Sequence, residues 1–159
     1  MIDSNEFPNT NSSVLLIRKF DELNALDLYE IVSLRERVFV VEQNCPYLDC
    51  DGKDLNSLHL GIYENEILQA YARLVPPNET YNTWSIGRVV VAPEFRGLGL
   101  GKVLMEDAIE HLIQIIGVEK ITISAQEYLL RFYNELGFHQ VGAGYLEDDI
   151  PHVKMVWEI

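Results

Sequence analysis

The stretch Arg96-Gly97-Leu98-Gly99-Leu100-Gly101-Lys102 has the residue types and spacing that most directly indicate chemistry in this sequence. It follows the β-branched run Val89-Val90-Val91, which is typical of a buried strand, and Pro93, which ends strand pairing. An amphipathic run over residues 100–116 then predicts a helix whose first N–H groups lack intrahelical acceptors. Glycines let the backbone approach a ligand closely, and the positive end of a helix favours an anion. The sequence therefore predicts a phosphate-binding loop at residues 97–102.

The spacing within this loop distinguishes between kinds of phosphate site. The Walker pattern requires a glycine where Arg96 stands and a Ser or Thr where Val103 stands. The dinucleotide pattern requires a third glycine at a spacing that this sequence does not offer. The pattern that fits is [Arg/Gln]-x-x-Gly-x-[Gly/Ala], at Arg96, Gly99 and Gly101. A glycine-rich loop alone is a weak signal, and a strand-to-helix turn without a ligand is its alternative interpretation.

A second motif is Phe132-Tyr133-Asn134-Glu135-Leu136-Gly137-Phe138. Gly137 is expected to close a short helix and Phe138 to open the next strand, so much of the motif is structural. Tyr133 has two interpretations. It is either a core aromatic whose hydroxyl finds a partner or a proton donor, because the pKa of a phenol, ~10, lies near that of a thiol.

In this order and at this distance, the two motifs resemble those of the GNAT family of N-acetyltransferases. Three further segments are more specific and resemble the ElaA-like subgroup of that family. They are Phe39-Val40-Val41-Glu42-Gln43-Asn44-Cys45-Pro46-Tyr47, Asp51-Gly52-x-Asp54 and Glu147-Asp148-x-Ile150-Pro151-His152. The resemblance covers about residues 13–159, and it implies transfer of an acetyl group from acetyl-CoA to an amine by direct attack in a ternary complex, with no metal.

The resemblance also implies where acetyl-CoA binds. The pantetheine arm is expected to add like a strand to the backbone of Val89, Val90 and Val91, one of whose N–H groups would polarise the thioester carbonyl. The pyrophosphate is expected on the N–H groups of Gly97, Leu98, Gly99, Leu100, Gly101 and Lys102. Arg96 or Lys102 would add positive charge there.

Two side chains complete the implied donor site. Tyr133 matches the tyrosine that protonates the leaving thiolate. Gln126 stands where many family members have an asparagine that contacts the pantetheine arm, and it offers the same amide chemistry one methylene further out. A non-catalytic acyl-CoA-binding sensor or partner module is the alternative function; it would keep the glycine loop without needing Tyr133.

An acetyltransferase must also remove a proton from its acceptor, since an aliphatic amine with a pKa of ~10.4 is mostly protonated at neutral pH. The candidates for this base are Glu42, His59 and His152. Each has a structural alternative, Glu42 as a surface charge in a loop and both histidines as strand residues. The acceptor itself stays open between a small polyamine, an amino sugar, a peptide N-terminus and a lysine side chain.

Composition limits the partners. The 159 residues carry a net charge of −13 with a pI near 4.6, which disfavours nucleic acid and anionic membranes. Such charge suits a cationic substrate, although it is also a common solubility device. Neither a signal peptide nor an apolar run of the roughly 20 residues needed to span a bilayer is visible, so we expect a cytoplasmic monomer or homodimer. Cys45 and Cys50 match no zinc spacing and are expected to be free thiols.

The coarse pattern predicts an α/β fold, with a mixed, mainly antiparallel, twisted sheet of six to seven strands and helices on both faces. Residues 1–13 are expected to be a flexible lead-in and residues 14–159 a single domain. Helices are expected over 24–40, 100–116 and 127–136. The acidic segment 42–56 is expected to be a solvated loop or a lid, and 142–151 a loop between the last two strands.

Overall fold

The computed structural model describes residues 13–159, so the predicted lead-in lies outside the described residues except for Ser13. Within this range the chain forms eight strands and three α-helices. The strands are β1 Val14–Lys19, β2 Leu58–Glu64, β3 Ile67–Val75, β4 Ser85–Val91, β5 Lys120–Gln126, β6 His139–Gln140, β7 Tyr145–Glu147 and β8 Ile150–Glu158. The helices are α1 Ala25–Arg35, α2 Leu100–Glu110 and α3 Leu130–Glu135. In the part of the chain described, no helix is both long and apolar enough to cross a bilayer.

The helices begin and end where the sequence indicates. The side chain of Asn24 accepts a hydrogen bond from the backbone N–H of Asp27 at 2.8 Å and caps α1. π-Helical turns extend α1 through Glu36–Glu42 and α2 through His111–Ile116. Gly117, with φ +81°, ends the second of these, as a C-terminal glycine in the left-handed region does. The helices predicted over 24–40 and 100–116 are confirmed.

The strands form two antiparallel sheets, which diverge from each other. The first has the order β1-β2-β3-β4, and the second has the order β5-β8-β6 with β7 also paired to β8. A single parallel bridge, between Trp84 and Ile121, joins β4 to β5 across the described residues. The predicted mixed, mainly antiparallel α/β fold is confirmed. The described residues form eight strands where six to seven were expected, because the short strand β7 also pairs with β8.

Helices cover both faces of the first sheet, also as predicted. On one face α2 contributes buried Leu104, Met105 and Ala108 to a core shared with the second sheet and α3. On the other face α1 packs Ile31 and Leu34 against a smaller buried cluster formed with β3 and β4. The two cores hold the sheet rigidly up to the point where β4 leaves β5.

One element differs from the sequence prediction. The segment 142–151, expected to be a loop, contains β7 and the start of β8, which form a hairpin around Asp148 and Asp149 at φ +48° and +62°. Pro151 argues against a strand because it cannot donate to a ladder. Here β8 pairs only with β7 at Pro151, and its pairing with β5 begins one residue later at His152, so the missing donor is tolerated.

The acidic segment 42–56 differs from the expected solvated loop at two of its carboxylates. Asp49 and Asp54 are each only 7% exposed. A 3-10 turn over Lys53–Asn56 follows Gly52, whose φ of +83° lies in the left-handed region. Because buried carboxylates must be paired, these two aspartates fix the segment to the core, while most of its other residues are exposed.

Candidate active site

An open cleft of about 850 Å³ lies where β4 and β5 diverge. The end of the helical segment Glu36–Glu42, the segment after it and the β7–β8 hairpin also form its walls. Eight residues singled out from the sequence line this one cleft: Glu42, Val89, Val90, Val91, Arg96, Gln126, Tyr133 and His152. The structure therefore brings together the strand before the glycine loop, the motif tyrosine and two of the three proposed bases.

The floor of the cleft is shaped by a β-bulge in β4. Tyr71 on β3 pairs with Val90, and Arg73 pairs with Gly87, so β4 contains one residue more than its partner. Arg88, in the bulge, has φ +52°, which for a non-glycine residue costs on the order of 1–3 kcal/mol. A bulge bends its strand and raises its twist, and here it accompanies the divergence of the Val89–Val91 segment from β5.

Asp49 holds the bulge in place. Its carboxylate accepts a hydrogen bond from Arg88 Nε at 2.8 Å, and its carbonyl oxygen accepts one from Arg88 Nη2 at 3.2 Å. The same carboxylate accepts from Arg35 Nε and from the Tyr47 hydroxyl, both at 2.8 Å. The strained conformation of Arg88 is therefore fixed by an anion that α1 itself holds through Arg35.

The charges under the cleft form a buried network of three arginines and three aspartates. Arg35, fully buried, donates to Asp54 at 2.7 and 3.2 Å, and Arg73 donates to Asp51 and Asp54 at 2.7 to 3.0 Å. Burial by itself raises the pKa of Asp54, but Arg35 and Arg73 more than offset it and hold that pKa below its usual value. Asp54 therefore keeps its negative charge at neutral pH, opposite Arg35 and Arg73.

Sequence reasoning missed this network, although a signal for it existed. Arg35 follows Ile31 and Leu34 on the apolar side of α1, and Arg73 lies between Ala72 and Leu74 in a mainly apolar strand. Arginines at positions whose pattern is apolar indicate buried ion pairs, and the acidic segment 42–56 was the natural source of partners.

The glycine loop has the conformation that its sequence predicts. Gly97 and Gly99 have φ +81° and +78°, a region that side chains with a Cβ avoid, and α2 begins directly afterwards at Leu100. A Cβ at Gly101 would meet Val91 and Phe132 at ordinary contact distances, which agrees with a pattern that also allows alanine there. The N–H groups at this helix start have no intrahelical acceptor. The loop follows Arg96, which lines the cleft.

The two cations beside the loop already have partners. Arg96 donates to Glu42 at 2.8 Å and to the carbonyl oxygen of Val91 at 3.4 Å, so it bridges the glycine loop and the end of the helical segment Glu36–Glu42. Lys102 lies on the surface, 3.7 Å from Glu106 one helical turn later. Glu42 thus lies in the cleft as predicted, but its carboxylate is held in an ion pair.

Tyr133 reaches the cleft from α3. It is 7% exposed, with its ring edge-on to Phe132 and Phe138. Burial, with a smaller contribution from the charge of Tyr128, raises the pKa of Tyr133 to about 12. The phenol therefore carries its proton at neutral pH and is able to donate it. On the neighbouring wall, Gln126 at the end of β5 donates to the Gln43 side chain at 3.2 Å.

The two candidate histidines lie in different environments. His152 is 9% exposed and lines the cleft, and its Nδ1 lies 2.7 Å from the carbonyl oxygen of Ile150. Because a carbonyl only accepts, Nδ1 carries the proton and Nε2 is the basic nitrogen of the neutral ring.

His59 lies outside the cleft-lining residues, at 2% exposure. Its ring nitrogens contact the Tyr71 hydroxyl at 2.7 Å and the Asp54 carbonyl at 2.9 Å. Burial lowers the pKa of His59, so it is a neutral core histidine that supports the buried network.

Comparison with known proteins agrees with this geometry. The sequence matches the Acetyltransferase (GNAT) domain family over residues 48–159. Protein ElaA from Escherichia coli (strain K12) is 39% identical over 140 residues, which are 87% of this chain and 92% of that protein. The crystal structure of Escherichia coli ElaA has a TM-score of 0.86 at 36% identity, covering 92% of this chain and 100% of that chain.

A crystal structure of an acyl-CoA N-acyltransferase from Pseudomonas aeruginosa is similar to the same degree. Its TM-score is 0.85 at 38% identity, and the match covers 91% of this chain and 99% of that chain. The family match covers more than half of the chain, and both relatives exceed one third identity over nearly all of it. The chain therefore belongs to the GNAT family of acyl-CoA-dependent N-acyltransferases, in its ElaA-like group.

Proposed function

We propose that this protein transfers an acetyl group from acetyl-CoA to a primary amine by direct attack in a ternary complex. The observation that carries the proposal is the cleft itself, which has an unpaired strand edge, a protonated phenol and a basic imidazole nitrogen on its walls. The edge is Val89–Val91: Val90 and Val91 pair with β3 on one side, and no strand among residues 13–159 pairs with them on the other. Pantetheine would add along it, and a backbone N–H would polarise the thioester carbonyl. The pyrophosphate would take the free N–H groups of residues 97–102, with Arg96 and Lys102 supplying positive charge.

Proton transfer would use opposite walls of the cleft. The attacking amine gives up a proton as the C–N bond forms, and His152 Nε2 is positioned to accept it directly or through water. Glu42 is the second choice, because it would first have to leave Arg96. As the C–S bond breaks, Tyr133 would donate its proton to the thiolate. The burial that raises the pKa of the phenol would raise the basicity of a thiolate beside it as well.

The binding site for the cosubstrate is tested by Gly99→Trp. At a concentration 100 times its Kd, acetyl-CoA should stabilise the wild-type protein by ~2.7 kcal/mol, seen as a higher Tm. Gly99→Trp should abolish this shift, because a side chain in the left-handed region would displace the backbone N–H groups. Gly117→Trp is the matched control, since Gly117 has the same φ region, equally open space and lies at the far end of the same helical stretch. An equal shift in both variants would show that the loop does not bind the cosubstrate.

Turnover is read in the same samples from release of free thiol with a panel of amines. Stabilisation by acetyl-CoA without thiol release from any amine would favour the non-catalytic acyl-CoA-binding module over the enzyme. If only other acyl-CoA thioesters stabilise the protein, the transferred group is one of those acyl groups and not acetyl.

The base is tested by His152→Asn. The asparagine amide keeps the hydrogen bond to the Ile150 carbonyl but has no basic nitrogen. We expect kcat to fall at least about tenfold and the acidic limb of its pH profile to disappear, with the Kd of acetyl-CoA unchanged. His139→Asn, an exposed histidine on β6, is the control. An unchanged pH profile in His152→Asn would transfer the role to Glu42 or to solvent.

A further inference from the structure

The β7–β8 hairpin presents one face to the cleft, and that face includes charge that the proposed mechanism does not use. Tyr145 pairs with His152 and Glu147 pairs with Ile150, so these four side chains share one face of the hairpin. Glu147, Ile150 and His152 line the cleft, and the Tyr145 and His152 rings stack with centroids 6.2 Å apart. Glu147 and His152 are therefore diagonal neighbours, for which the usual spacing is about 7–8 Å.

Four carboxylates line the cleft, and they differ in their partners. Glu42 is paired with Arg96, and Asp51 with Arg73. Over residues 13–159, neither Glu147 nor Asp148 takes part in an ion pair. This end of the cleft thus has two carboxylates without an ion pair, in a protein whose net charge is already −13. Lys154, on the same face of β8 as His152, lies over the Tyr81 ring at 5.6 Å.

The carboxylate of Glu147 is oriented by a short hydrogen-bonded chain. Ser124 on β5 donates to Glu147 Oε2 at 2.6 Å. Because the single hydroxyl proton of Ser124 is used there, the contact between Ser124 and the Tyr145 hydroxyl has Tyr145 as the donor. The chain uses one lone pair of one oxygen, so the carboxylate keeps most of its capacity to accept from a ligand.

A second, independent feature of this face points to a ligand. His152 is nine-tenths buried, lines the cleft and uses Nδ1 for the Ile150 carbonyl, while its Nε2 has no side-chain or backbone partner in the described part of the chain. His152 is thus a largely buried side chain whose unpartnered Nε2 is open to the cleft, beside an oriented carboxylate. This arrangement matches a ligand with two nitrogen groups, one neutral when it reacts and one that stays charged.

We propose that Glu147 binds a second ammonium group of the acceptor, so that the acceptor class is a diamine or polyamine. This rests on the proposed function: the amine that is acetylated lies at His152 Nε2, and the other nitrogen lies a few carbons away at Glu147. The second nitrogen stays protonated, because its pKa of ~10.4 is far above neutral pH. The acidic surface of the protein raises the local concentration of such a cation.

The test compares three acceptors of matched chain length: putrescine, butylamine and γ-aminobutyrate. At the end opposite the reacting amine, putrescine carries a cation, butylamine carries no charge and γ-aminobutyrate carries an anion. With the wild-type protein we expect kcat/KM for putrescine to exceed that for butylamine at least about tenfold, with γ-aminobutyrate the poorest. Glu147→Gln keeps an acceptor for Ser124 and removes only the charge. It should raise KM for putrescine about tenfold, with KM for butylamine and the Kd of acetyl-CoA unchanged.

Two further measurements keep the outcomes separate. Glu66→Gln, at the exposed β2–β3 turn, controls for the general loss of one negative charge. Calorimetric titration of putrescine into the wild-type and Glu147→Gln proteins tests binding without turnover. If no amine is acetylated but putrescine binding still depends on Glu147, the proposed function fails and the ammonium site stands. Equal discrimination between putrescine and butylamine in wild type and Glu147→Gln overturns the ammonium site, whatever the turnover.

Discussion

Arg35→Met is expected to lower the free energy of unfolding by about 3–5 kcal/mol, the range for removing one partner of a buried ion pair. Arg35 is fully buried and donates to Asp49 and to both oxygens of Asp54. Its removal leaves these two carboxylates buried with fewer cations than they need. Methionine keeps much of the volume and the apolar contacts of Arg35. The loss of unfolding free energy therefore measures the effect of removing the charge. Urea unfolding of the two proteins, followed by the tryptophan fluorescence of Trp84 and Trp157, measures it.

Arg37→Met is the matched control. Arg37 is two residues further along, and both of its terminal nitrogens donate to Glu94, at 2.7 and 2.8 Å. These side chains are 46% and 59% exposed, so solvent screens the pair and its removal should cost less than about 1 kcal/mol. Equal losses of unfolding free energy in the two variants would contradict the view that burial makes the Arg35 ion pairs contribute more to stability than an exposed pair.

The pH dependence of stability follows from the same groups. Burial lowers the pKa of His59 below 6.5, so the unfolded chain binds more protons and stability falls as pH drops below that value. Arg35 and Arg73 hold the pKa of Asp54 below 3.8, which adds a second loss as pH falls through that range. Arg35→Met raises the pKa of Asp54 towards its usual value. The stability of this variant should therefore fall less than that of the wild type as pH drops below 3.8.

The network also accounts for the shape of the candidate active-site cleft. Arg35 orients Asp49, and Asp49 holds Arg88 at φ +52° in the bulge that precedes Val89. A chain of two salt bridges therefore connects α1 to the strand edge that is proposed to bind the thioester. Such a bulge could not be predicted from sequence, because nothing local in Gly87-Arg88-Val89 requires it; the requirement comes from an aspartate almost forty residues earlier.

Local signals predicted the conformation of the glycine loop and of the helix that follows it. The glycine loop, the start of α2 at Leu100 and the closure by Gly117 are decided by residues within a few positions of one another. β7 and the first two residues of β8 were missed because Gly142, Gly144 and Pro151 indicate a loop. Only the pairing of Tyr145–Glu147 with residues 150–152 makes this segment a hairpin. Tertiary pairing overrode local propensity there.

The choice between the candidate bases likewise depends on tertiary packing and not on local sequence. From sequence, His59 and His152 are equivalent strand histidines, and only burial among other elements separates them. His59 uses both ring nitrogens in the core, while His152 uses one and leaves the other at the cleft. The choice between them is a property of packing across strands that are far apart in the chain.

Tyr133→Phe is expected to lower kcat by about 100-fold or more, the lower end of the usual contribution of a general acid, with the Kd of acetyl-CoA nearly unchanged. The change removes one hydroxyl and keeps the ring, so its edge-on contacts with Phe132 and Phe138 persist and the fold is preserved. Single-turnover thiol release and a calorimetric Kd for acetyl-CoA, measured on the same protein, separate the two effects. Tyr29→Phe, an exposed tyrosine on α1, is the control for loss of a phenol.

The pH profile tests whether a group other than Tyr133 supplies the proton. A general acid works only while protonated, so kcat falls above its pKa. Since burial raises the pKa of Tyr133 to about 12, kcat of the wild type should show no fall on the alkaline side up to about pH 10. An alkaline limb near pH 10 or below that persists in Tyr133→Phe would mean that another group supplies the proton. Full activity in Tyr133→Phe would mean that the thiolate leaves unassisted, and Tyr133 would then be a core aromatic at the edge of the cleft.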